Sequence, residues 1–179
     1  MKRIISGLFI ALLTLSACAT TDVKTTPDGK SATGGGGAKS ATIGQPVTIK
    51  GNDSGSKIQV TAKKVVLQNV KPTDGFSTVD PGKRLVAVRF LIVNTGTAPY
   101  DDAPSNGAKV VNAAGEQFDA DITMSETTAG KGFPAQTKLA PGNKALGFLV
   151  FSVPAKAKIT QVQFSQDSGF GDTAQWNIK

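Results

Sequence analysis

The sequence predicts an all-β protein, an antiparallel sandwich of seven or eight strands, and three observations carry that prediction. Short runs rich in Val, Ile, Phe and Thr alternate with turn clusters such as KGNDSGSK, VDPGKR, LAPGNKA and SQDSGFGD. No segment holds a sustained 3.6-residue apolar stripe, the mark of an amphipathic helix. Two of the longest apolar runs are apolar at both parities of a period-2 pattern, as strands covered on both faces require.

Ahead of the strands stands a segment of a different kind. Lys2 and Arg3 give a positive start, residues 4–15 are almost wholly apolar, and Ser16 and Ala17 are small. That is the order of a secretory signal, read here as residues 1–17. Twelve apolar residues are too few for a transmembrane helix, which needs about 20. Cys18 is the only cysteine in the chain, and Leu15, Ser16, Ala17 and Cys18 resemble the bacterial lipobox. The resemblance implies that the Cys18 thiol receives a diacylglyceryl group and becomes the mature N-terminus, with two or more acyl chains holding the protein to a membrane. No other cofactor is expected.

Residues 18–41 continue with Thr, Gly, Ser and Lys and almost no large apolar side chain. Such a stretch cannot bury enough surface to offset its ordering entropy, and it reads as a disordered tether with a reach of roughly 25 Å. Its GGGGAKS stretch is not a phosphate-binding loop, because that pattern needs glycine where Thr33 and Ala38 stand.

The folded domain is expected over residues 42–179, with strands at 45–50, 57–68, 84–94, 108–112, 117–119, 144–153, 160–165 and 175–178. In 84–94, Val86, Val88, Phe90 and Ile92 share one face while Leu85, Ala87, Arg89, Leu91 and Val93 share the other, so this strand, apolar on both faces, should be central. The run 144–153 opposes Phe148 and Val150 to Leu149 and Phe151 and is predicted as a second central strand, ended by Pro154. In 57–68 the apolar parity switches between Ala62 and Val65, which predicts a β-bulge near Lys63 and Lys64. An immunoglobulin-like sandwich is the simplest architecture for these pieces.

The stretches IGQPVTIKG, DPGKRLVAVRFLIVNTGTAPY, LAPGNKALGFLVFSVP and QWNIK resemble an immunoglobulin-like domain of unknown function found in actinobacterial lipoproteins. That family is labelled, misleadingly, after a telomeric repeat-binding factor and is similar in fold to a secreted mycobacterial immunoprotective antigen. Asn94, Gly96 and Tyr100 match its N-x-G-x-x-x-Y corner, and Pro141, Gly142 and Gly147 its hairpin. The resemblance implies a fold and carries no catalytic residue.

Composition narrows the function further. With no histidine, and with the one cysteine ahead of the domain, histidine-dependent triads, cysteine nucleophiles and ordinary zinc sites have no residues to use. The 20 Lys and Arg against 13 Asp and Glu are scattered, without basic runs interleaved with aromatics, so no nucleic-acid partner is expected. Asp119, Asp121 and Glu126 are oxygen donors within one stretch and form a weak Ca²⁺ candidate that lacks the spacing of a known loop. Phe76, Phe133 and Phe170 fall in Gly- or Pro-containing loops, with Tyr100 as a neighbour. They are the candidate binding surface, set against the plainer reading that they cap the core. The sequence therefore predicts a non-enzymatic, lipid-anchored extracytoplasmic module that binds an envelope protein, polymer or small ligand. The alternatives are an enzyme of unfamiliar design and a carrier of a small hydrophobic ligand.

Overall fold

The structure, a computed structural model, describes residues 39–124 and 126–179. The chain divides into two units, Met1–Gly34, which lies outside the described residues, and Gly35–Lys179. The expected signal, Cys18 and most of the expected tether are therefore also outside the described residues.

Thirteen strands are described in the second unit. They are β1 (Lys39–Thr42), β2 (Pro46–Lys50), β3 (Lys57–Val70), β4 (Lys83–Asn94), β5 (Tyr100–Asp102), β6 (Ala108–Asn112) and β7 (Gln117–Asp119). Then come β8 (Glu126–Thr127), β9 (Gly130–Lys131), β10 (Thr137–Leu139), β11 (Lys144–Pro154), β12 (Ile159–Ser165) and β13 (Thr173–Asn177). One sheet has the order β11-β4-β3-β2 and the other β1-β13-β12-β6-β7, with β5–β10 and β8–β9 as small ribbons. This is the predicted all-β sandwich. One pairing departs from antiparallel: β1 runs parallel to β13, with Lys39 opposite Ala174 and Thr42 opposite Asn177. Strand structure thus begins three residues inside the stretch read as tether.

The two sheets close on one apolar layer. Phe90 of β4 meets Phe164 of β12 at 5.3 Å between ring centroids and Trp176 of β13 at 6.0 Å in an edge-on arrangement. Phe90, Phe151, Phe164 and Trp176 are all fully buried. The indole satisfies its one polar group by donating Nε1–H to the Gln45 carbonyl at 2.8 Å, which ties the last strand to the start of β2.

The predicted bulge is present. The β3–β4 register shifts between Ala62 and Lys64, after which Val65 and Leu67 pack against the main core in place of the opposite parity. A second shift follows between Val66 and Val70, where Asn69 takes φ 60°, and Val70 turns back to the outer side.

β4 is central as predicted, between β11 and β3. β11 is not. It is the edge strand of its sheet, and its apolar residues on both faces have another cause. Leu149, Phe151 and Val153 enter the main core, while Phe148 and Val150 form a second cluster with Val70, Leu85 and Ala87 on the outer side. The β3–β4 loop and the 124–129 segment cover that cluster with Val79, Met124 and Ala129. The free edge of β11 is closed by short contacts, with the N–H of Asp121 donating to Val150 O at 2.7 Å and that of Phe133 to Phe148 O at 3.3 Å.

Removing a ring from the layer between the sheets leaves a cavity bounded by both of them. Phe90→Ala and Phe151→Ala are each expected to cost about 3 to 5 kcal/mol of unfolding free energy. Urea titration checks this, and a change below about 1 kcal/mol would show that the layer repacks around the gap.

Candidate functional site

The four aromatics proposed as one surface are divided by the fold. Phe133 is 8% exposed and belongs to the main core, lying so close to Gly147 that a Cβ there would meet its ring and its N at 2.9 Å. Tyr100 is 2% exposed. Both are packing residues, so for these two the candidate binding surface gives way to the reading that they cap the core.

Phe76 and Phe170 are exposed, at 92% and 84%, but stand at opposite ends of the sandwich. β3 and β4 pair from Ile58 opposite Asn94 to Val70 opposite Leu85, and the loop holding Phe76 leaves from the Val70 end. Its turn is set by Asp74, whose carboxylate accepts from the N–H groups of Phe76 and Ser77 at 2.9 and 2.8 Å and from Ser77 Oγ at 2.5 Å. These bonds, the Ser77 side chain foremost, hold the Asp74 carboxyl below its usual pKa. Phe170 follows the 3-10 turn Asp167–Gly169 at the Asn94 end. That turn is tied there by Asn52 N–H donating to Asp167 Oδ2 at 2.5 Å and Asp172 N–H donating to Lys50 O at 3.1 Å. Asp167 and Ser168 both sit at positive φ, 54° and 53°, a strained conformation for residues with a side chain.

The acidic residues named as a weak Ca²⁺ candidate have other contacts. Asp119 pairs with Lys109 across β6 and β7. Asp121 Oδ1 accepts from the Thr123 N–H at 2.8 Å and its hydroxyl at 2.7 Å, fixing a turn. Glu126 lies in β8, opposite Lys131. Among the described residues, no three acidic, cysteine or histidine side chains group as metal ligands would.

The corner around Asn94 is structural. Its Nδ2 donates to Ala98 O and Leu139 O, both at 2.9 Å, while its Oδ1 accepts from the Gly96 N–H at 2.9 Å. Gly96 is needed because a Cβ there would lie 2.1 Å from the Gly55 carbonyl oxygen. This corner folds Tyr100 inward, where its hydroxyl has no hydrogen-bond partner among the described residues. Burial first, then the Asp102 and Asp167 carboxylates, push that phenol far above its usual pKa. Asp102 itself is engaged, accepting from Ser168 Oγ at 2.9 Å and from Ser168 N–H at 3.0 Å.

One larger feature emerges only when the strands are placed in register. The four strands of the β11-β4-β3-β2 sheet contain eight Lys or Arg and no Asp or Glu. Core-facing rows such as Val47, Val60 and Ile92 fix the opposite parity as outward. The outward rows are Lys50 with Lys57; Thr48, Gln59, Val93 and Lys144; Pro46, Thr61, Leu91 and Leu146; then Lys64, Arg89 and Phe148. Five exposed cations thus surround a partly apolar centre. Leu146 is 49% exposed, and Arg89 lies 5.9 Å from the Phe148 ring centroid. Among the described residues none of the five is ion-paired with a carboxylate. Like charges paired across strands, as in Lys50 and Lys57, weaken a sheet. The segments that cover Phe148 and Val150 leave Lys144 and Leu146 of the same strand exposed.

These features describe an immunoglobulin-like sandwich domain with a basic sheet face and ordered loop ends. The chain belongs to a family of domains of unknown function, DUF4352, whose model matches residues 42–175. Among solved structures it is similar to MPT63, a secreted protein of Mycobacterium tuberculosis, with 12% identity, a TM-score of 0.54, and coverage of 79% of this chain and 98% of that one. It is also similar to YcdA of Bacillus subtilis, described as a candidate lipoprotein, with 16% identity and a TM-score of 0.50 over 68% of this chain. This chain spans only 36% of the YcdA chain. At these identities the likeness is one of fold. No curated protein sequence matches the chain.

Two predictions follow from the placement of the aromatics. Phe76→Ser and Phe170→Ser are expected to shift unfolding free energy by no more than about 0.5 kcal/mol, while Phe133→Ser costs about 3 kcal/mol or more. Thermal melts of the three variants compare them directly, and a large loss at Phe76 or Phe170 would mean that those rings are buried in solution. Tyr100→Phe should leave neutral-pH stability unchanged or raise it by about 1 kcal/mol, because it removes an unpartnered buried hydroxyl. The raised folded-state pKa keeps the phenol's contribution intact below about pH 10, the unfolded value, and removes it as pH rises from there towards the folded value. Urea melts on either side of about pH 10 should show a steep alkaline loss in the wild type and a shallower one in Tyr100→Phe. Equal slopes would assign that loss to another group.

Proposed function

We propose that the protein is a non-enzymatic, lipid-anchored module of the cell envelope, held outside the cytoplasmic membrane through Cys18 and acting by binding. The observation that carries this reading is the basic face of the β11-β4-β3-β2 sheet. It is a broad one-signed surface with partly exposed Leu91 and Val93 between its cations and an exposed Leu146 on its β11 edge, which is the composition of a contact area.

Three further points support the reading. Residues 15–18 match the lipobox pattern at all four positions and follow a segment with the order of an export signal. The two fold relatives are a secreted protein and a candidate lipoprotein. The layer between the sheets is filled by Phe90, Phe151, Phe164 and Trp176, all fully buried, which favours a binding surface over an internal carrier cavity. Its partner classes are an envelope protein, an envelope polymer or the membrane itself.

Fractionation of cells producing wild type or Cys18→Ala tests the anchor. Wild type is expected with membranes, carrying a mass increment of diacylglyceryl size at the N-terminal cysteine, and the variant in the soluble fraction. An unmodified Cys18, or a mature N-terminus beyond it, would overturn the lipid-anchored reading.

A further inference from the structure

The basic face deepens that reading, and the proposal rests on it for the direction from which the chain is tethered. We infer that the outward face of the β11-β4-β3-β2 sheet is a membrane-docking surface that lies flat against anionic phospholipid, with Leu146 on its β11 edge entering the lipid and the cations of the face contacting phosphate groups.

Charge is the first argument. The outward positions of Lys50, Lys57, Lys64, Arg89 and Lys144 form a patch about 20 Å by 15 Å from strand spacing and rise. No strand of this sheet carries a carboxylate. Two acids lie at the Lys50 end of this sheet: Asp53 in the β2–β3 turn, and Asp172, whose Oδ2 accepts from the Lys50 backbone N–H at 3.4 Å, while Asp80 pairs with Lys83 at the other end of β4. Each cation brought near an anionic bilayer adds a similar increment of attraction, so five on one plane act together.

The apolar centre is the second argument. Leu146 is half exposed, and Leu91 and Val93 beside it are only partly covered. A soluble polyanion would need the cations alone. A lipid surface also accepts apolar side chains below the level of the phosphates, which is the pairing seen in interfacial anchors. Apolar residues set beside cations on one face therefore favour lipid over an anionic polymer.

The route of the chain is the third. Lys39 opens β1 opposite Ala174, two residues beyond Asp172, which donates its N–H to Lys50 O. The segment that joins Cys18 to the domain thus enters at the end of the sandwich where Lys50 and Lys57 lie. A tether with a reach of roughly 25 Å would hold this end, and the face beginning there, within contact distance of the bilayer. Confinement of that kind raises the effective concentration of the surface, so a weak face suffices.

The test uses residues 18–179 with Cys18→Ala, which retains the whole Gly35–Lys179 unit and carries no lipid, so that its outcome is independent of the anchor. Flotation with vesicles of phosphatidylcholine and phosphatidylglycerol is compared with flotation on phosphatidylcholine alone. Binding is expected to the mixed vesicles and to fall steeply with salt. The triple variant Lys64→Gln, Arg89→Gln, Lys144→Gln should weaken it about a hundredfold. Lys156→Gln with Lys158→Gln, on the turn after β11, should retain binding close to that of the parent. Leu146→Ser should weaken binding several-fold, and thermal melts verify that every variant is folded. Equal loss in the two charge variants would reduce the effect to net charge and overturn the proposal. So would equal binding to both vesicle types, or binding to inorganic polyphosphate with none to vesicles. An unmodified Cys18 in cells would refute the anchor alone and leave this measurement standing.

Discussion

The contact of Phe90 with Phe164 and Trp176 is the point on which this sandwich closes. It joins the middle strand of one sheet to two adjacent strands of the other, and all three rings are fully buried. β4 can supply it because both of its edges are paired and both of its faces are at least partly covered. Without any disulfide in the domain, stability comes from burial, and β4 carries more buried residues than any other described strand. The bulge at Ala62 and Lys64 then keeps Val65 and Leu67 of β3 on the side of that layer.

Much of this was legible in the sequence. The parity break in KIQVTAKKVVLQNV marked the bulge, because a strand cannot exchange its faces without inserting a residue. The double-sided apolar run around Phe90 marked a central strand. The same logic misplaced β11, whose outer apolar residues are covered by a loop strap rather than by a neighbouring strand and a second layer. Period-2 patterning reports that both faces are covered and says nothing of what covers them. The strands that escaped notice, β1, β5, β8, β9 and β10, are two to four residues long. Runs so short give alternation little to act on, and of strands this short only β7 was read from its sequence.

The candidate site was less legible, for two separate reasons. Tyr100 and Phe133 stand in segments composed like loops, yet the Asn94 corner and the close approach at Gly147 fold them inward. No local pattern encodes that return. The basic face was hidden in a different way. Its cations are scattered along the chain and become neighbours only through strand register. Composition could not have singled them out, since seven of the eight predicted strands hold no acidic residue and neither pairing nor facing can be read from composition.

The parallel pairing of β1 with β13 has a mechanical side. Tension on the chain ahead of Lys39 pulls along the axis of β1 while the rest of the domain resists through β13. The hydrogen bonds between these two strands are then loaded together, in shear, rather than opened one after another as in a hairpin peeled from its end. A four-residue strand that contributes little to the core would thereby act as a strain relief. It spares the Trp176 packing behind it when whatever lies upstream of the domain is pulled.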